Sequence, residues 1–435
     1  MAETVQQPIQ ENKAAIRRAF LRSCTPRTVD IQDPLVDPIV SRGHPNPAGL
    51  GEAERFSREG SWGQSSVLFP DLASYQAADE TGVSPYGGAE YGVVLTPEAD
   101  AVCRKIAALH GGFGAIICPS GLSAITTTIA AFAPRALLIP DNAYPPLLRY
   151  LRYKNICVFR YPSDASAGTV SVILREARSE FRAARDIMIY LEAPGSGTFE
   201  IPVISGIAAL AKSNGIISVM DNTWASHVRF KPITAGIDIV IQATTKYEGG
   251  YGDTPSGVVI AAQQAGFECL VDELRISGHG AVAPTTCARL LKRIDSTEAR
   301  LDAHHETALQ LVAWFQSQAF VADVLSPALP GSPCHTRFNE YFGKGNGLFS
   351  VVFRPTIPAS QVAAFVEALN LFWVGESWGG HVSLVLPVCV QRELTSAPKG
   401  QVLRFHAGLE DASDLQRDLE QAARASFIPV INYAI

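Results

Sequence analysis

Charge is sparse in this chain, at 18% of 435 residues, and neither sign dominates: 36 lysines and arginines stand against 42 aspartates and glutamates, a net charge of −6. That balance excludes a broad electrostatic attraction to nucleic acid or an anionic membrane. The one basic spot, RYLRYK at 149–154, reads as a solvated helix face. No apolar run approaches the roughly 18 residues a spanning helix needs. The first residues, MAETVQQPIQENKAAIRRAF, lack the apolar core of a secretory signal, so a cytoplasmic location is expected. Cys24, Cys103, Cys118, Cys157, Cys269, Cys287, Cys334 and Cys389 form no CxxC pair, which argues against a zinc or redox motif and for free, reduced thiols. His304 and His305 are neighbours on a helical stretch and point in different directions, so no metal is expected there. There is no GxGxxG after the first strand and no GxxxxGK[ST] anywhere, which disfavours a plain nucleotide-binding module. Internal repeats and low-complexity tracts are absent as well.

What the chain does have is alternation. Residues 1–85 are irregular, rich in Pro, Gly and Asp (DPLVDPIVSRGHPNPAGLGE), and read as an arm over a neighbouring subunit or a leader. From about residue 97 helix and strand patterns alternate. PEADAVCRKIAALHGG starts on Pro and stops on Gly as a helix does. FGAIICPS, RALLIPD, NICVFRYP, DIMIYLEAP, GIISVMDNT and DIVIQATTK are strand-like, with helices such as VISGIAALAKSN between them. This predicts an α/β unit over 86–285 with a mostly parallel sheet and helices on both faces. Residues 286–435 begin with one long helical stretch, PTTCARLLKRIDSTEARLDAHHETALQLVAWFQSQ, and continue with strand-like GLFSVVFRP and GHVSLVLPV, predicting a smaller α+β domain.

Parallel α/β sheets place ligands at the carboxyl ends of their strands. Three sequences sit there: CPSGLSAI, MDNTW and QATTKY. In the first, Ser120–Gly121 joins a strand to a helix, whose exposed N–H groups suit a phosphate. In the second, Asp221 follows the apolar run IISVM. In the third, Thr245 offers a hydroxyl and Lys246 an amine. Each alone has an ordinary structural explanation: a turn glycine, a helix cap, a surface lysine. Together they meet the requirements of pyridoxal 5′-phosphate (PLP): a lysine for the aldehyde, a carboxylate for the pyridine nitrogen and a helix start for the phosphate. Tyr144, in DNAYPP, is a candidate to stack on the ring.

On these residues the chain resembles the cysteine and methionine metabolism family of PLP enzymes, in particular its cystathionine β-lyase branch. DNTWASHVRFKPITAGIDIVIQATTKYEGGYGD, LEAPGSGTFEI, SPALPGSPCH, ESWGGHVSL and VLRFHAGLEDASDL carry the likeness, from about residue 60 to the end. The resemblance implies the type I PLP-dependent transferase fold, with a seven-stranded sheet. It implies that Lys246 forms the Schiff base, Asp221 partners the ring nitrogen and Tyr144 stacks. Gly121, Leu122, Thr223 and Thr245 would surround the cofactor. Arg404, with Ser377 and Trp378, would receive the α-carboxylate of a small-molecule amino-acid substrate. Tyr91 would reach the phosphate of a neighbouring subunit, within a homotetramer built as a dimer of dimers.

Three positions depart from the family pattern. Val93 stands where the family has an arginine that binds the neighbour's phosphate, Val382 where it favours a glutamate, and His279 where the β-lyase branch has a tyrosine near the substrate. The expected activity is a lyase that cleaves a Cβ–S bond and releases pyruvate, ammonia and a thiol. The alternative is γ-elimination, γ-replacement or C–C bond formation through a vinylglycine-type species, on an activated homoserine or S-adenosylmethionine.

Overall fold

The structure, a computed structural model, describes residues 72–73, 95–278 and 280–427. The expected arm at 1–85 therefore lies outside the described residues apart from that dipeptide, and Tyr91, Val93 and His279 lie outside them entirely.

Seven strands form the first sheet: β1 Gly114–Cys118, β2 Ala136–Pro140, β3 Cys157–Tyr161, β4 Ile187–Glu192, β5 Ile217–Asp221, β6 Ile239–Gln242 and β7 Gly257–Ala261. Their spatial order is β1-β7-β6-β5-β4-β2-β3. Only β7 runs antiparallel to its neighbours. The mostly parallel sheet is as expected, and each strand read from the sequence is present. β1, β2, β4, β6 and β7 are buried along their whole length, as strands covered on both faces must be.

The period-2 alternation sorts their side chains into two cores. Ala136, Leu138, Ile187, Ile189 and Val240 face one layer, with helices α1 Pro97–His110, α4 Ala167–Glu180 and α5 Ile204–Ser213. Leu137, Ile139, Met188, Tyr190 and Ile241 face the other, with α2 Gly121–Phe132, α3 Pro145–Tyr153 and α6 Gln264–Ser277. α1 begins on Thr96, whose side chain accepts from Ala99 N, and ends on Gly111 at φ 71°, the stop expected of the glycine pair.

The long helical stretch divides in two, α7 Pro284–Arg293 and α8 Thr297–Gln316, around a tight turn at 294–296. There the Ser296 hydroxyl donates to the Arg293 carbonyl at 2.8 Å, a local side-chain bond that competes with helix continuation.

A second sheet follows: β8 Val321–Leu325, β9 Leu348–Phe353, β10 Trp373–Val374, β11 Leu384–Pro387 and β12 Val402–His406, in the order β10-β11-β12-β9-β8. It is packed through Phe315, Phe349, Phe353, Phe365 and Phe405 against α8, α9 Ala359–Glu367 and α10 Ala412–Phe427.

Among the described residues no helix is long and apolar enough to cross a membrane. No three His, Cys, Asp or Glu side chains there gather as metal ligands. The seven cysteines described are free. His304 is fully buried, its Nδ1 within 2.8 Å of the Ala407 carbonyl.

Candidate active site

The exits of β1, β2, β4, β5 and β6 converge on one cleft of about 540 Å³, closed from the other side by Leu348, Ser377, Trp378, Leu386 and Arg404 of the second sheet and its loops. The sequence-predicted residues Gly121, Leu122, Tyr144, Asp221, Thr223, Thr245, Lys246, Ser377, Trp378 and Arg404 all line it. Val382 does not appear among its lining residues.

β6 ends at Gln242, and a run of turns carries the chain through Lys246. The ammonium Nζ donates to Ser377 Oγ at 2.8 Å and stands 5.1 Å from the centroid of the Trp378 ring. Gly379, at φ 82°, lets the Ser377–Trp378 loop lie this close, because a Cβ there would meet the Lys246 backbone at 3.0 Å. Burial and then the Arg404 charge pull the Lys246 pKa down to about 8, against the opposing pull of Asp221. The amine is therefore half neutral at about pH 8, where an ordinary lysine waits until roughly 10.4. Imine formation needs the neutral amine, so the rate at which apoprotein reacts with pyridoxal phosphate is expected to rise with pH and level off above a midpoint near 8. Stopped-flow absorbance against pH checks this. Arg404→Met should move the midpoint up by removing a cation, and a wild-type midpoint near the ordinary lysine value would contradict the assignment.

Asp221 closes β5 beside Glu192, its register partner at the end of β4. Its Oδ1 accepts the Thr223 N–H at 2.9 Å and its Oδ2 faces the Tyr190 hydroxyl at 3.4 Å. Thr223 is held in turn, its Oγ1 accepting from Ala243 N at 2.8 Å. Glu192 accepts the Tyr144 N–H at 2.7 Å and the Ser196 hydroxyl at 2.6 Å, so it fixes the loop that presents Tyr144. Burial first, then the Asp221 charge, pushes Glu192 up to about 8. Burial also raises Asp221, with Thr223, Tyr190 and Lys246 opposing it. Two carboxylates this close do not both ionise readily. A cation opposite Asp221 favours its ionised form, as Lys246 already does.

At the β1 exit, Ser120 caps α2 by accepting from Ser123 N at 3.0 Å. The first i→i−4 bond of α2 is Ala124 N to Ser120 O, so the N–H groups of Gly121 and Leu122 precede it and are available to an anion. Glycine is required here by packing: a Cβ on residue 121 would lie 2.6 Å from that of Ala243. Thr245 lines the cleft, while its hydroxyl donates to Ser256 O at 2.9 Å and accepts from Ser256 N at 3.0 Å. Its one proton is committed to the turn between β6 and β7. Arg404, on β12, donates to the Glu376 carbonyl at 2.6 Å.

A profile of the Cys/Met metabolism PLP-dependent enzymes matches residues 58–424. The chain belongs to that family. It is 35% identical over 373 residues to a Rhizobium johnstonii protein named as a candidate cystathionine beta-lyase, covering 83% of this chain and 90% of the relative. It is 31% identical over 372 residues to the L-alanine/L-glutamate racemase of Wolbachia pipientis wMel, covering 82% and 90%. Among solved structures, cystathionine gamma-lyase from Lactobacillus plantarum complexed with L-serine matches with a TM-score of 0.68 and 25% identity, over 78% of this chain and 88% of that one.

Members of this family depend on PLP, and the residues present fit it. A lysine amine half neutral at about pH 8, a half-buried carboxylate on the adjoining strand and an unpaired helix start face one cleft of sufficient size. Among the cleft's charged and hydroxyl side chains, Glu192, Ser196, Glu376 and Arg149 went unread in the sequence as site residues. Glu192 ends the run DIMIYLE just as Asp221 ends IISVMD, so the same strand-end signal marks it. Arg149 belongs to the spot read as a solvated helix face. It is exposed, but it lies on the side of α3 that borders the cleft beside Tyr144.

Proposed function

We propose that the protein is a carbon–sulfur lyase that opens the Cβ–S bond of a thioether amino acid, releasing a thiol and, on uptake of one water, pyruvate and ammonia. The observation that carries the reading is the placement of Lys246 Nζ, 2.8 Å from Ser377 Oγ, in the same pocket as the Arg404 guanidinium that lowers its pKa.

Arg404 pairs with the substrate α-carboxylate through its planar fork, and Ser377 and Trp378 flank it. That contact orients Cα toward Lys246. Bound PLP supplies an electron sink for the pair of electrons left at Cα when its proton departs. Asp221 would hold the ring nitrogen in its protonated state, Gly121 and Leu122 would offer N–H groups to the phosphate with Thr223 and Thr245 beside them, and Tyr144 would cover the ring face. Lys246 Nζ takes the Cα proton and is then placed to return one to the sulfur as the Cβ–S bond breaks.

Arg149 and Glu376 bring opposite charges to the cleft near Tyr144, which suits a substrate with a second amino-acid head group, as in cystathionine. The name of the Rhizobium johnstonii relative supports a β-lyase. A γ-type reaction, for which the Lactobacillus plantarum enzyme is named, needs a second proton transfer that the same lysine can serve. The expected dimer of dimers, with Tyr91 reaching a neighbouring subunit, is part of the proposal.

Product analysis with cystathionine, O-acetylhomoserine and S-adenosylmethionine separates the readings. Pyruvate and homocysteine in equal amounts from cystathionine are expected. Cysteine and 2-oxobutyrate from it, or turnover of the other two compounds alone, would replace the β-lyase reading with the γ-type one. D-amino acid formation without sulfur release would overturn both.

A further inference from the structure

The connection between β11 and β12 crosses to the first sheet and grips it at two points, both on loops that wall the cleft. At the first, Asp141 at the β2 exit accepts the N–H groups of Glu393 at 3.0 Å, Leu394 at 3.1 Å and Thr395 at 3.2 Å, together with the Thr395 hydroxyl at 3.2 Å. Asp141 stands three residues before Tyr144. At the second, Arg392 inserts its guanidinium, 2% exposed, among three acceptors. Nη1 donates to Ser163 Oγ at 2.7 Å, and Nη2 donates to Glu200 Oε1 at 2.7 Å and to Thr198 Oγ1.

Thr198 and Glu200 close the loop after β4, whose Pro194, Gly195, Ser196, Gly197 and Phe199 form one wall of the cleft. The Glu200 Oε2 atom also accepts from Asn142 Nδ2 at 2.9 Å. Gly195 lies so close under the Asn142 amide that a Cβ there would overlap it. The β2 and β4 loops are thus tied to each other, and Arg392 ties both to the connection that leads into β12 and Arg404.

We propose that Arg392 is a positioning residue: through Glu200 and Asn142, and with Asp141 as its companion, it fixes the ring-covering Tyr144 loop against the strand that carries the carboxylate-binding Arg404. The cofactor face and the substrate-carboxylate site come from different sheets, so their separation depends on what spans the two. Buried, multiply bonded arginine suits that task, because its fork is rigid and its charge is costly to leave without partners. This inference rests on the roles given above to Tyr144 and Arg404.

The test uses the holoenzyme and the variants Arg392→Met and Arg392→Lys, with Asp141→Asn as an independent lesion at the other grip. Thermal melting and far-ultraviolet circular dichroism report folding. The cofactor absorption band reports loading, and its induced circular dichroism reports the ring's seating. In folded, loaded Arg392→Met we expect KM for the amino-acid substrate to rise by roughly tenfold, the scale of one lost charged hydrogen bond. The induced dichroism of the cofactor band should change as well, and Arg392→Lys should recover part of both effects. Asp141→Asn should shift the same two readouts if Arg392→Met does not fold. Unchanged KM and dichroism in a folded variant, or losses that only track the folded fraction, would overturn the proposal. A colourless wild-type holoenzyme would instead sink the underlying reading of the site.

Discussion

Lys246→Ala is expected to remove the covalent attachment of the cofactor and to cut turnover by roughly 10²–10⁴-fold or more, the range for loss of a positioned acid–base group. The loss is large because one atom serves several roles. In the proposed reaction Nζ would hold the cofactor between turnovers, take the Cα proton and return one to the leaving group. No other described lysine lines the cleft. Steady-state kinetics on the folded variant measure the effect, and its absorption spectrum should lack the band of the attached cofactor. An unchanged spectrum, or a kcat within a few-fold of wild type, would rule Lys246 out. Added primary amines should restore a fraction of the chemistry in proportion to their neutral form, which a purely structural lysine would not allow.

Asp221→Asn should lower kcat by about 10²–10³-fold, the cost of removing one preorganised electrostatic partner from a reacting centre, while leaving KM far less affected. The asparagine keeps the shape and can still accept the Thr223 N–H that the aspartate accepts at 2.9 Å. What it loses is the negative charge that, in the proposed reaction, would stand opposite the ring nitrogen. The substitution also removes the charge that helps push Glu192 up to about 8. The Glu192 pKa should therefore fall, and the pH dependence of the cofactor absorption should change with it. Spectral titration of wild type and variant checks both statements. Equal kcat in the two proteins would show that Asp221 does not face the ring.

Where the chain buries both faces of a strand, its sequence is explicit. RALLIPD, DIMIYLEAP and DIVIQATTK are short apolar runs bounded by helices and turns, and all three are central strands. The cleft was legible because parallel strands deliver their exits to one edge, so Asp221 and Lys246 could be placed there from position alone. β7 was harder. It enters the sheet antiparallel, between β1 and β6, and nothing in GVVIA announces direction. Arg392 was invisible for a different reason. It lies in an irregular connection, and its partners Ser163, Thr198 and Glu200 are close only after two sheets have packed together. Arg149 was legible as a charge but not as a cleft residue, because periodicity gives a helix face without saying what lies opposite it.

Borohydride reduction of the holoenzyme, followed by proteolysis and mass spectrometry of the peptides, asks the most direct question. A pyridoxyl group found on the peptide containing Lys246, with the cofactor band bleached in step, is the expected result. Labelling of any other lysine, or bleaching without a labelled peptide, would contradict the site built here from Lys246 and Asp221.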